Sequence, residues 1–233
     1  MWRQYDASRM VKEDCVNRDE FLARTALFQG STPEEIQGML GCLDARERHF
    51  ESGEYIHRMG DVIKTVGLVL SGSVRIESVD VWGNVSVVGV TGAGGMFGEA
   101  YAAVPDEPLL VNVVAAEECT VLFLNLRKVL TTCSHACPNH SRTSNNMTSI
   151  IARRSLALSR RIFHVAPKTI RGKVLAYLSD EAERTGSREF TIPFDRQQLA
   201  DYLGVDRSAL SAELSRMQKA GLIETRRSHF VLK

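Results

Sequence analysis

Hydrophobic positions change their spacing three times along this chain. Between residues 21 and 50 they recur at helical intervals. Thr32-Pro33-Glu34-Glu35 combines an N-cap, a proline at the first helical position and acids in the first turn, and Ile36, Met39, Leu40 and Leu43 follow on one face. From about 53 to 124 the pattern shortens to β-rich runs (VGLVL, SVRIESV, NVSVVGV, LLVNVVA, TVLFL). These are separated by glycine-containing turns at Ser71-Gly72, Trp82-Gly83-Asn84 and Gly92-Ala93-Gly94-Gly95. Many short strands in succession predict a sandwich or barrel rather than βαβ units.

Helical spacing returns over 126–165. Met147, Ile151, Leu158 and Val165 form one stripe, with Arg154 and Arg161 at the two remaining seam positions. A long amphipathic helix of this kind packs on the barrel or on a second copy of itself. Ala166-Pro167 ends it, because the residue before proline avoids the α region. Residues 168–233 then form a compact unit. One helix runs through Ile170, Val174, Leu175 and Leu178 to Thr185-Gly186, and a short strand ends at Pro193. Asp195 to Gln198 has capping-box form. The helix it opens buries Leu199 and Leu203 and stops at Gly204; the next starts at Asp206 and buries Leu210, Leu214 and Met217. Two β-runs flanking Arg226-Arg227-Ser228 complete a winged helix-turn-helix. The expected division is 1–125 for N-terminal helices and barrel, 126–166 for a helical connector and 167–233 for the winged unit.

Composition sharpens this picture little until charge is mapped. The 233 residues carry 29 basic and 28 acidic side chains, five cysteines and no apolar run long enough for a membrane span. No signal peptide is recognised at the N-terminus, and the cysteines read as reduced thiols, so a cytoplasmic protein is expected. Charge is segregated: no acid occurs between Glu118 and Asp180, a stretch holding ten basic residues.

The second helix of the winged unit carries the clearest chemistry. With Leu210, Leu214 and Met217 turned inward, Ser208, Ala212 and Ser215 lie opposite and Arg207 and Ser211 flank them. This acid-free face of small residues can approach a duplex closely. Arg207 can make a bidentate contact to guanine, and Ser211 can reach a base or phosphate. The helix N-terminus also offers N–H groups to phosphate. Arg196, Gln197, Arg226, Arg227 and His229 stand where backbone contacts are expected.

The order of helix, glycine-rich β-roll, long helix and winged helix resembles the Crp/Fnr family of bacterial transcription regulators over about residues 20–233. The resemblance is carried by GLVLSGSVRI (67–76), GGMFGEA (94–100) and FDRQQLADYLGVDRSALSAELSRMQKAGLI (194–223). It implies an α+β fold: a cyclic-nucleotide-binding-like β-roll (double-stranded β-helix), a central dimerisation helix and a C-terminal winged helix. It further implies a homodimer through about 144–165, an effector pocket in the β-roll at Gly98 and Glu99, and palindromic double-stranded DNA. Base reading falls to Arg207, Ser208, Ser211 and Ala212, and phosphate contacts to Arg196 and Gln197. RNA polymerase is a partner if the protein activates.

This sequence departs from the family in ways that bear on function. Leu109-Leu110 stand where cyclic-nucleotide-binding members have an arginine-serine pair. Two leucines cannot neutralise a phosphate, which argues against cAMP. Ser208 and Ala212 replace a glutamate and an arginine common in the reading helix, so the usual half-site does not carry over. Cys15 and Cys42 stand alone, unlike the N-terminal cysteine cluster of the oxygen-sensing branch. A small-molecule or redox effector is expected, its identity open; an iron–sulfur cluster, haem or thiol redox chemistry remain alternatives.

Two further groups are sensor candidates. Cys133, Cys137 and His140 have spacings compatible with a metal or a regulated disulfide, against the simpler reading of small buried residues. Arg154 can compensate an anionic effector or Glu99 in the pocket, against the reading of a solvated arginine on a packed stem. His57 has no distinguishing context, and no catalytic motif is found, so an enzyme is not expected. The alternative left open is a ligand-binding signalling protein whose winged helix contacts protein rather than DNA.

Overall fold

The computed structural model describes residues 18–131 and 138–233. They divide into two compact units that meet within one long helix, the first reaching Arg153 and the second comprising Arg154–Lys233.

In the first unit, α1 (Arg18–Ala23) and α2 (Pro33–Leu40) precede the sheets. Thr32 caps α2 as its sequence implies: the hydroxyl accepts from Glu35 N, and the Glu35 carboxylate accepts from Thr32 N at 3.0 Å. Thr32→Ala is expected to cost about 1 kcal/mol. That lowers Tm by about 2–4 °C, measurable by calorimetry. The helical reading of 21–50 overshoots at its end. Asp44 turns the chain at φ +53°, and Arg46–Phe50 is strand β1, paired with Cys119–Asn125 (β8) from Arg46↔Phe123 to Phe50↔Cys119. The charged side chains of β1 face solvent, and only Phe50 is buried.

Two four-stranded antiparallel sheets make the β-roll. β1 and β8 join Thr65–Ser71 (β3) and Met96–Phe97 (β6) in the order β1-β8-β3-β6. The second sheet orders Tyr55–His57 (β2), Asn112–Ala115 (β7), Ser73–Val79 (β4) and Val85–Gly92 (β5) as β2-β7-β4-β5. Period-two alternation in β8 divides its side chains between two cores. Leu122 and Leu124 pack toward Leu27, Ile36 and Leu43 of the N-terminal segment, whereas Val121 and Phe123 face Val69 and Val113 between the sheets. Both faces of β3 and β8 are therefore covered, which accounts for their nearly continuous apolar sequences. The run 109–115 is strand only from Asn112; Leu109 instead exchanges backbone hydrogen bonds with Gly60 and Asp61.

The helical stretch expected from 126 is divided. A one-turn helix α4 (Leu126–Leu130) is capped by Asn125, and α5 runs from Pro138 to Val165. Met147 is buried against the N-terminal core, whereas Leu156, Leu158, Ile162 and Phe163 are 62–70% exposed. The second unit begins on the same helix.

The winged unit holds α6 (Ile170–Thr185), β9 (Glu189–Thr191), α7 (Arg196–Leu203), α8 (Arg207–Lys219), β10 (Ile223–Arg226) and β11 (His229–Leu232). Its sheet runs β10-β11-β9. Leu199 and Leu203 of α7, Leu210, Leu214 and Met217 of α8, and Phe230 of β11 are all in one core. On α6 the inward aromatic is Tyr177, whereas Leu175 lies partly exposed at the rim.

Candidate nucleic-acid interface and effector pocket

Helix α8 presents the face its sequence implies. Arg207, Ser208, Ser211, Ala212 and Ser215 are exposed, while Leu210, Glu213, Leu214 and Met217 are buried. The one acid within α8 is turned away from the outer face. Glu213 accepts from Arg171 of α6 at 2.6 Å and pairs with Arg216 at 2.6 Å, and these cations hold its carboxyl below its usual pKa. A charge that would repel phosphate is thereby used to tie α8 to α6.

The serines differ in what they can offer. The hydroxyls of Ser211 and Ser215 donate to the carbonyls one turn back, Arg207 O at 2.9 Å and Ser211 O at 3.0 Å. Their outward lone pairs are thus placed to accept, the role that a cytosine or adenine amino group requires. Ser208 instead donates to Asp206 Oδ1 at 2.5 Å.

The helix N-termini are not open phosphate sites. Asp206 accepts from Ala209 N at 2.8 Å, and Asp195 accepts from Gln198 N at 2.8 Å in a complete capping box. Each carboxylate occupies the positive end of its own helix. The amino end of α8, expected to bind phosphate, is filled by its own chain.

Arg196 and Gln197 begin α7. Arg196 lies partly buried, donating to Thr225 Oγ1 at 3.0 Å with its guanidinium 5.3 Å from the Phe230 ring centroid, and burial lowers its pKa. It therefore joins α7 to the wing as well as standing near the outer surface. Gln197 is exposed and donates to Asp201 at 2.8 Å. Arg226 and Arg227 are exposed at the wing turn, where Arg227 adopts φ +54°; His229 faces Glu189 at 3.3 Å.

In the β-roll, Gly98 caps the five-residue helix α3 (Glu99–Ala103) at φ +81°. A Cβ on Gly98 would stand 2.9 Å from Ile63 Cδ1, a side-chain end that can move, so it is the left-handed backbone that favours glycine here. Glu99 is buried at the start of α3. The two leucines part company: Leu109 is 2% exposed in the core, and Leu110 is 66% exposed. Neither brings a polar group to Gly98-Glu99.

His57 belongs to this interior although its sequence context does not single it out. A register shift between Tyr55 and His57 lets the imidazole stand edge-on to Phe97 and Phe123, with centroids 6.3 and 5.8 Å away. Its Nε2 is buried without a hydrogen-bond partner among the described residues, and burial lowers its pKa. The shift accompanies its placement, and a single histidine in a three-residue strand carries no signal of such an irregularity.

Cys133 and Cys137 lie outside the described residues. Their proposed companion His140 is buried near the start of α5, its Nε2 2.5 Å from Lys128 O and its Nδ1 without a hydrogen-bond partner among the described residues. Among the described residues, no three His, Cys, Asp or Glu side chains are grouped to hold a metal. Arg154 opens the second unit, half-buried, its guanidinium pKa lowered by burial. No helix among the described residues is long and apolar enough to cross a membrane.

Comparison with known proteins matches both parts of the chain. The family model of the cyclic nucleotide-binding domain matches residues 47–136, and that of the Crp-like helix-turn-helix domain matches residues 172–233. Electron transport regulator A of Shewanella oneidensis is 22% identical over 193 residues, covering 80% of this chain and 74% of its own. The transcriptional activator protein FnrA of Stutzerimonas stutzeri is 25% identical over 195 residues, covering 77% and 73%. Among solved structures, the c-di-GMP-responsive global regulator CLP of Xanthomonas campestris shares the fold. Its TM-score is 0.50 at 21% identity, with 85% of this chain and 98% of that one covered. With a cyclic-nucleotide-binding-type β-roll and a Crp-like DNA-binding winged helix on one chain, this protein belongs to the Crp/Fnr family of transcription regulators.

Proposed function

We propose that this chain is an effector-responsive transcription regulator that binds palindromic operators as a homodimer and does not depend on cAMP. The observation that carries the DNA reading is the outer face of α8, where Arg207, Ser208, Ser211, Ala212 and Ser215 are exposed together and the helix's own acid is turned inward. Arg207 supplies the bidentate guanine contact, the serines accept from base amino groups, and Ala212 gives contact to a thymine methyl. Gln197, Arg226 and Arg227 hold the backbone, with Arg196 contributing from the α7–wing joint.

The exposed apolar residues of α5 support self-association: Leu156, Leu158, Ile162 and Phe163 would be covered by the same helix of a second copy. Two α8 helices then enter successive major grooves about 34 Å apart. The effector region in this reading is the β-roll around Gly98 and Glu99. Leu109 and Leu110 leave it without the groups a cyclic phosphate needs. An effector acts through its different affinity for two arrangements of the dimer, one of which places the reading helices in register. In this reading the chain divides functionally into a sensor to about 125, a connector over 126–166 and a DNA-binding unit from 167, with RNA polymerase as a further partner for an activator.

Selection of bound DNA from random-sequence duplexes, under oxidising and reducing conditions, tests this directly. A palindrome with half-sites one helical turn apart is expected, its affinity falling steeply with salt. Enrichment in only one condition would assign the effector to thiol or metal redox chemistry. Absence of any enriched palindrome, with salt-insensitive binding, overturns the DNA reading and favours protein recognition by the winged helix.

A further inference from the structure

The last turns of α5 meet the winged unit through His164 and Arg161. His164 is 4% exposed, with its Nδ1 2.9 Å from the Tyr202 hydroxyl of α7 and its Nε2 3.4 Å from Asp180 Oδ2 of α6. Its ring stands edge-on to Tyr177 at 5.4 Å and 87°, and tilted to Tyr202 at 5.9 Å. Tyr177, Tyr202 and Phe194 in turn pack with centroids 5.0–6.0 Å apart, an aromatic cluster spanning α6, the β9–α7 loop and α7. Around it, Arg161 donates to Tyr202 O at 3.3 Å with its guanidinium over the Tyr202 ring, and Lys173 donates to Leu203 O at 3.1 Å. Cations from α5 and α6 therefore cap the carboxyl end of α7, the end whose dipole favours them.

We propose that His164 is a pH-operated latch, fastening the end of α5 to α6 and α7 when neutral and loosening that joint when protonated. The two contacts assign the protons. Asp180 accepts from Nε2–H, which leaves Nδ1 as a lone pair that accepts from Tyr202 O–H. A second proton on the ring makes Nδ1 a donor, so the Tyr202 O–H must turn to accept from it, and it places a charge on a ring only 4% exposed among aromatic side chains. The charged groups facing the ring oppose one another: Asp180 and Glu181 of α6 favour the imidazolium, while Arg160 on its own helix disfavours it. Arg161 lies over Tyr202 rather than on the ring, and Arg184 is held by Glu181 at 2.5 Å. Desolvation is the largest influence and sets the direction, holding the histidine below its ordinary pKa; burial likewise keeps the Tyr177 and Tyr202 hydroxyls protonated. The joint is therefore intact above the unfolded histidine value of about 6.5 and weakens as pH falls below it. This inference rests on the end of α5 and the winged unit and stands whether the partner is DNA or protein.

The test is hydrogen exchange of the full-length protein at pH 7.5 and 5.5, corrected for intrinsic rates, beside His164→Gln. Glutamine can donate to Asp180 and accept from Tyr202 without titrating. Wild-type protection in 160–166 and 199–204 is expected to fall by up to about tenfold on acidification, because pH 5.5 lies about one unit below the unfolded histidine value. His164→Gln should hold its protection at both values. Equal pH sensitivity in the two proteins, or none in the wild type, overturns the proposal. If His164→Gln does not fold, the wild-type His164 ring resonances decide: a midpoint below 6.5 supports the latch, and one at or above it overturns it.

Discussion

Replacing Ala212 by glutamate is expected to weaken DNA binding at least about hundredfold while leaving the fold unchanged. Position 212 is exposed in the middle of α8, and glutamate is a good helix former, so thermal unfolding should scarcely move. At the interface the substitution places a carboxylate on the outer face of α8, which carries no acid. Like charges brought together in an interface cost several kcal/mol. About 3 kcal/mol corresponds to the hundredfold loss. The complementary change has the opposite sign. Ala212→Arg adds a cation one turn beyond Ser208, so affinity for random-sequence duplex should rise and the slope of log K against log salt steepen by about 0.9. Fluorescence anisotropy with a random-sequence duplex pool measures both. Wild-type binding by Ala212→Glu would remove α8 from the role of reading helix.

The reading helix was legible because everything that defines it is local. Asp206 as cap, Leu210, Leu214 and Met217 at helical spacing and Gly204 before the turn specify both the helix and its outer face, and the structure places Ser208, Ser211, Ala212 and Ser215 there. What was not legible depends on residues far apart in sequence. Strand β1 reads as a continuation of the preceding helical segment, since its alternation is hidden by charged side chains on an exposed edge. Only pairing with β8, from Arg46↔Phe123 to Phe50↔Cys119 about seventy positions along the chain, makes it a strand. Leu109 and Leu110 are adjacent and identical, yet the contact of Leu109 with Gly60 and Asp61 buries one and exposes the other. At the amino end of α8, Asp206 is the cap, and its carboxylate takes one of the N–H groups that would otherwise face a phosphate. Likewise His164, last but one in α5, gains its partners from α6 and α7, and no spacing within α5 announces them.

Gly72→Ala is expected to destabilise the first unit by about 3–5 kcal/mol, adding left-handed backbone strain to steric overlap. The residue lies between β3 and β4, where the chain leaves one sheet for the other. Ser71 pairs with Thr120 of β8, while Ser73 O accepts from Ala116 N and the Ser73 hydroxyl donates to Glu117. The crossing therefore passes directly over the β7–β8 connection. At φ +70°, an added Cβ would lie 2.3 Å from Glu118 O and 2.9 Å from Cys119 Cα. Both are backbone atoms, Cys119 at the paired start of β8 and Glu118 in the bend before it, so neither can swing aside as a side chain would. Gly53 supplies the control: its φ is +83°, but nothing lies within 4 Å of its would-be Cβ, so Gly53→Ala incurs the backbone strain alone, about 1–2 kcal/mol. Denaturant unfolding followed by a probe in the β-roll should separate the two variants by about 1–3 kcal/mol, with the winged unit's own transition unmoved in both. Equal losses would mean that the turn yields and the two sheets are not clamped at Gly72.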